Sequence, residues 1–116
     1  MSGLVLINKK NKELLFQKRP KNSKWNPNVW RFFGGKNENN ETKEECLIRE
    51  IKEEINLDLN INNLNLLKSD IYEQTECYFF YHIIKPEQVK QLKLLEGQDW
   101  IWTSFKESLN LDLSLI

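Results

Sequence analysis

At 116 residues the chain holds one compact domain and leaves no room for a second core. Lysine plus arginine equal aspartate plus glutamate at 17 each, which excludes a general attraction to nucleic acid or an anionic membrane; any handling of phosphate must be local. Hydrophobic residues make up 40%, with four Trp, three Tyr and six Phe, enough for an ordinary core.

In chain order, Gly3 to Asn8 reads as a buried strand and Glu13 to Arg19 as its partner, with hairpin-loop residues between them. The first of these is too short for a signal-peptide core, and Lys9, Lys10 and Lys12 follow it. Pro20 to Pro27 is a loop. Val29 to Phe33 is a short strand running into Gly34 and Gly35. Thr42 and Glu45 have capping-box spacing and open a helix over Lys43 to Ile55, whose Leu47, Ile48, Ile51 and Ile55 form one apolar stripe. Asn56 stands where a left-handed residue ends a helix. Leu57 to Lys68 and Ile71 to Ile84 read as two further strands, and Pro86 to Leu95 as a short helix opened by proline. Asp99 to Thr103 is a last strand and Phe105 to Leu109 a final short helix. The alternation favours a mixed sheet with helices on its faces.

The longest apolar run, Cys77 to Ile84, is broken by His82 and falls well short of a membrane span. Cys46 and Cys77 lie in separate elements and read as buried free thiols, so the expected location is cytoplasmic. One histidine, His82, argues against a zinc site.

The segment that carries chemistry is Gly35-x5-Glu41-x7-Arg49-Glu50-Ile51-x-Glu53-Glu54-x-Asn56-Leu57. Glu50, Glu53 and Glu54 are spaced i, i+3 and i+4, so they share a helix face beside the apolar stripe. Like charges there oppose the helix by roughly 0.2–0.5 kcal/mol per pair, and the helix dipole disfavours anions in that half. An acidic helix face is usually a solvated surface. Here, Gly, Glu, Arg, Glu, Glu and Glu at six fixed offsets have a chance probability on the order of one in a hundred thousand from average frequencies. Hard carboxylate oxygens suit Mg²⁺ or Mn²⁺.

The segment from Gly35 to Leu57 resembles the Nudix box of the Nudix hydrolases, and the likeness to MutT-type members runs across the single domain, 1–116, through Glu96-Gly97-Gln98 and the Trp-rich strand after it. The resemblance implies an α/β/α sandwich around a mixed sheet. It also implies Mg²⁺-dependent hydrolysis, with Mn²⁺ as substitute, of a nucleoside diphosphate linked to another group. A non-standard or oxidised nucleoside triphosphate is the first expectation. Nucleotide sugars or ADP-ribose, or a regulatory module that binds a nucleotide without cutting it, are the alternatives. The expected partner is a small nucleotide, with no nucleic acid and no membrane, and the chain is a monomer or a homodimer.

Carried over by position, Glu50, Glu53 and Glu54 resemble the metal ligands, joined by the carbonyl of Gly34 and by Glu96. Arg49 resembles the residue that orients a box glutamate, and Gly35 and Glu41 resemble supporting residues. Glu50 or Glu96 is expected to act as base. Arg19 resembles a substrate-contacting cation. Phe33 replaces a proline common before the Gly pair and is expected to shape the substrate cleft. Phe80, with Trp25, Trp30 and Trp102, is a candidate to stack on a base, although aromatics in strands are more often core. Asn56 and Asn40 stand where relatives often have glycine, and asparagine tolerates the same positive φ. MutT-type members read an oxidised guanine with a residue beyond the last strand, and this chain stops at Ile116, short of that place.

Overall fold

A computed structural model describes residues 1–22, 28–96 and 99–111. Among them seven strands form one mixed sheet: Ser2–Asn8 (β1), Glu13–Lys18 (β2), Trp30–Arg31 (β3), Phe33–Gly35 (β4), Asn65–Tyr72 (β5), Thr75–Ile83 (β6) and Asp99–Ser104 (β7). The helices are Lys43–Ile55 (α1) and the single turn Pro86–Val89 (α2). The fold is α+β.

β1 pairs in parallel with β6 from Ser2 to Ile7, which occupies one edge of β1 completely. Its other edge is shared. Ile7 and Asn8 pair with β2, whereas Ser2 to Leu4 pair with β4. β2 in turn gives one edge to β7 along its length, and Gln17 and Lys18 on the other edge pair with β3. The sheet therefore forks between β1 and β2, and residues 30–35 run into the fork. That topology brings the Gly34–Gly35 bend to the sheet's interior.

α1 forms where the cap and stripe place it. Thr42 Oγ1 accepts from Glu45 N (3.1 Å), and Glu45 Oε1 accepts from Thr42 N (3.0 Å). Asn56 ends the helix at φ 62°, its N–H donating to the Lys52 carbonyl, and Asn40 also sits at φ 65°. Leu47, Ile51 and Ile55 are fully buried against Leu4, Leu6, Leu15, Phe33 and Phe80. Deleting one such side chain to alanine typically costs about 2–5 kcal/mol.

Several boundaries differ from expectation. Leu57 and Leu59 are buried without forming a strand, Ile61–Asn63 is a 3-10 turn, and β5 begins only at Asn65. The hairpin between β5 and β6 turns at Glu73 and Gln74, both at positive φ, rather than at Ser69–Asp70. The expected strand from Val29 splits at Phe32, whose ring stacks on Phe16 at 4.8 Å. The helix opened by Pro86 stops at Val89, because the chain beyond it extends to cover the end of α1: Lys93 N donates to the Ile55 carbonyl and Leu95 N to the Glu54 carbonyl. The last helix is a 3-10 turn, Glu107–Asn110.

Cys46 and Cys77 are buried and unbridged. His82 is buried, with Nε2 2.9 Å from Gln88 Oε1, and serves the packing of α2. No helix among the described residues is long and apolar enough to cross a membrane.

Candidate active site

Each residue of the site is placed by a main-chain feature. Gly34 has φ +147°, and a Cβ there would run into the Ser2 carbonyl oxygen, so only glycine lets β4 lie this close to β1. At Gly35 a Cβ would collide with the carboxylate of Glu50. The bend is thus free of side chains on the surface that faces α1.

Glu54 is only 4% exposed and hooks this bend to the helix: Oε1 accepts from Gly34 N (2.8 Å) and Oε2 from Gln17 Nε2 (3.3 Å). Burial pushes its pKa up to about 7, although those two hydrogen bonds favour the charged form; the nearby Glu50 charge raises it further. Glu50 is pushed up as well, by burial first, with Glu53 and Glu96 adding like charge and Arg49 opposing. Glu53 is half exposed and reaches Arg49 at 3.3 Å.

Arg49 holds the cluster together. Its Nε and Nη2 grip Glu41 at 2.7 and 2.9 Å, Nη2 also reaches the Lys36 carbonyl, and Nη1 lies 2.9 Å from Glu50 Oε1. This raises the arginine's pKa and holds Glu41 down to about 2, first through the Arg49 hydrogen bond and then through Glu38 N. Glu41 therefore braces the loop and the arginine, and does not itself join the carboxylates on α1.

A family model of the NUDIX domain matches residues 2–114. The chain belongs to the Nudix family. Its members are pyrophosphohydrolases that act on phosphorus-containing anhydrides. Among solved structures, it resembles MutT from Aliivibrio salmonicida and Vibrio cholerae at 22% identity and TM-score 0.76, over 97% of this chain and 85% of that one. It also resembles a C. elegans Ap4A hydrolase at 22% identity and TM-score 0.72, covering 96% and 84% of the two chains. A third is a bifunctional NMN adenylyltransferase/ADP ribose pyrophosphatase from Francisella tularensis, complexed with AMP and a manganese ion; there the identity is 20% and the TM-score 0.74, with 98% of this chain but 36% of that one covered. A comparison with curated proteins found no match.

Glu50 and Glu54 stand at the bend and Arg49 links Glu50 to Glu53 and Glu41, but two expected substrate residues do not join them. Phe33 and Phe80 are 1% and 2% exposed and belong to the core that packs under α1, so the Phe33 side chain reaches no substrate and Phe80 has no ring face to offer a base. Strand alternation places them inward: Leu4 is the register partner of both. Trp102 is partly buried against the same core, Trp30 lies under the Lys18 ammonium at 5.6 Å, and Trp25 lies outside the described residues. Arg19 sits at the end of β2, its N–H donating to the Val29 carbonyl. Glu96 N approaches the Glu54 carbonyl at 3.4 Å, which sets it beside the carboxylate-bearing turn of α1.

Two neighbours went unread in the sequence. Gln17 is 1% exposed and bridges Glu54 to the Phe32 carbonyl. Arg31 lies close enough to Glu54 and Glu50 to feel both charges, while burial and Arg19 lower its pKa. A polar residue amid inward-facing positions of a strand was the one available signal for Gln17, and nothing in local sequence marks Arg31.

Among the described residues no three carboxylates converge at metal-binding separations, because Arg49 Nη1 lies beside Glu50 and Glu53 and Glu54 is turned onto Gly34. The donor set nonetheless fits a hard divalent cation. It is all oxygen, it projects from one helix face, and burial disfavours the charged forms of Glu50 and Glu54, a cost that a bound cation would offset.

Proposed function

We propose that the chain is a Mg²⁺-dependent pyrophosphohydrolase, with Mn²⁺ as a substitute, acting on a non-standard or oxidised nucleoside triphosphate to release the monophosphate and pyrophosphate. The observation that carries this reading is the carboxylate-bearing face of α1 set against a bend that admits no side chain. The likeness to MutT, with 85% of that chain covered and a TM-score of 0.76, supports the triphosphate reading; the Ap4A hydrolase, covered to 84%, makes a dinucleoside polyphosphate the substrate to test against it.

In this reading Glu50, Glu53 and Glu54, the Gly34 carbonyl and Glu96 hold the cation. When bound, a divalent cation neutralises the diphosphate and lowers the pKa of the attacking water. Glu50 or Glu96 takes the proton, and burial, which raises the Glu50 pKa, makes that carboxylate a stronger base than an exposed one. Arg49, fixed by Glu41, keeps Glu50 oriented. Arg31 and Arg19 supply positive charge on the sheet side, toward the substrate phosphates.

The test is a nucleotide panel with Mg²⁺ and with Mn²⁺, scoring phosphate and pyrophosphate separately. Pyrophosphate from triphosphates, abolished by Glu53→Gln, supports the proposal. Cleavage confined to dinucleoside polyphosphates, ADP-ribose or nucleotide sugars removes the triphosphate assignment. Nucleotide binding without any product removes the enzymatic one.

A further inference from the structure

β5 is the outer strand of the sheet, and among the described residues nothing pairs with its free edge. It is eight residues long, contains no proline, and is exposed from Asn65 to Ile71, with Leu66, Leu67 and Ile71 at 51%, 57% and 67%. An unpaired edge invites pairing unless it is short, broken by proline, bulged, covered, or carries charges that repel a partner strand. Here the charges have both signs. Lys68 and Asp70 lie 3.6 Å apart on the same strand.

Read backwards about Ser69, the strand complements itself: Lys68 falls opposite Asp70, and Leu67 opposite Ile71. We propose that β5 pairs antiparallel with β5 of a second copy of this chain across a two-fold axis at Ser69, joining two sheets into one.

Backbone parity agrees with that register. The two-residue turn at Glu73–Gln74 makes Tyr72 and Thr75 a hydrogen-bonded pair, so Asp70 also bonds inward to β6. Ser69 and Ile71 therefore direct their N–H and C=O groups outward, and the Ile71 N–H donates to Asp70 Oδ1 at 2.8 Å. Across the axis the two Ser69 residues form a hydrogen-bonded pair, and each Lys68 meets Asp70 of the second copy in a non-hydrogen-bonded pair, where side chains approach most closely. The register shift at Leu67 ends the regular ladder at Lys68, so the segment whose parity is fixed runs from Lys68 to Tyr72, with Lys68 to Asp70 centred on the axis. The contact is isologous and closes on itself. So short a ladder gives a weak dimer, populated as concentration rises.

Sedimentation equilibrium of the full chain, from about 10 μM to about 1 mM, spans the affinities of weak contacts. A monomer–dimer equilibrium is expected. Lys68→Asp or Asp70→Lys alone sets like charges opposite each other and should abolish it; an equimolar mixture of the two variants, or the double swap in one chain, should restore it. Ser69→Pro removes an outward N–H that the internal ladder does not use and should also abolish it. Unchanged circular dichroism establishes that each variant is folded, as exposed positions allow. A chain that stays monomeric throughout, or a dimer indifferent to both single charge changes, overturns the proposal.

Discussion

A methyl group at position 35 would meet the Glu50 carboxylate, whereas one at position 34 would meet the main chain of Ser2. The two glycines should therefore fail differently. Gly35→Ala displaces a side chain that can swing away, so the fold should survive with turnover and metal binding lost. Gly34→Ala strains the backbone by roughly 1–3 kcal/mol before any clash is counted, and urea denaturation should register at least that loss. Glu54 and Glu41 give opposite pH signatures. Glu54 is raised, so its contribution to stability is complete below about pH 4.5 and lost as pH rises through about 7; Glu41 is lowered, so its contribution is complete above about 4.5 and lost as pH falls through about 2. With a chelator present, the melting temperature should fall between about pH 4.5 and about pH 7, and Glu54→Gln should flatten that slope. A slope unchanged in the variant would place the cause elsewhere. The shared face of Glu50, Glu53 and Glu54 was legible because they sit at fixed helical offsets. Phe33 and Phe80 were misread because an aromatic in a strand looks the same whether its ring faces a ligand or a helix, and Arg31 was missed because its relation to Glu54 is made by the fork in the sheet.

α1 could be read to its ends because cap, stripe and C-terminal asparagine all agree on one register. Thr42→Ala should remove about 1 kcal/mol by deleting half of the capping box, measurable as a lower denaturation midpoint. The β5–β6 hairpin could not be read so. Ser69 and Asp70 have the better turn chemistry, and a doubly exposed edge strand carries no alternation to fix the break. The turn instead uses Glu73 and Gln74 at φ 48° and 68°, where an L side chain costs roughly 1–2 kcal/mol. Replacing them by Asn and Gly should raise stability by about 1 kcal/mol or more with activity unchanged. No gain in thermal denaturation would mean that those side chains make compensating contacts.

At the scale of the whole chain, the sheet, its partnering helix and their order follow from patterning, but the fork between β1 and β2 does not, since it depends on which residues share an edge over long separations. The site hangs on that fork, because Gln17 from one branch and Gly34 from the other both bond Glu54. Divalent cation binding should therefore stabilise the entire domain. Mg²⁺ or Mn²⁺ at about a hundred times its dissociation constant should add roughly 2.7 kcal/mol, and Glu53→Gln should erase most of the rise in melting temperature. A cation effect that survives Glu53→Gln would mean that binding occurs elsewhere.

The stretch after α2 ties its own N–H groups to the last carbonyls of α1 through Lys93 and Leu95. Glu96 is thereby registered to the other acids by main chain alone, whatever side chains surround it. The exposed Glu87, Val89 and Lys90 can accordingly change in sequence while Gln88 keeps its bond to His82 and the spacing between this acid and the helix stays constant. Change of that kind would reshape the neighbouring rim and leave the carboxylates of α1 undisturbed.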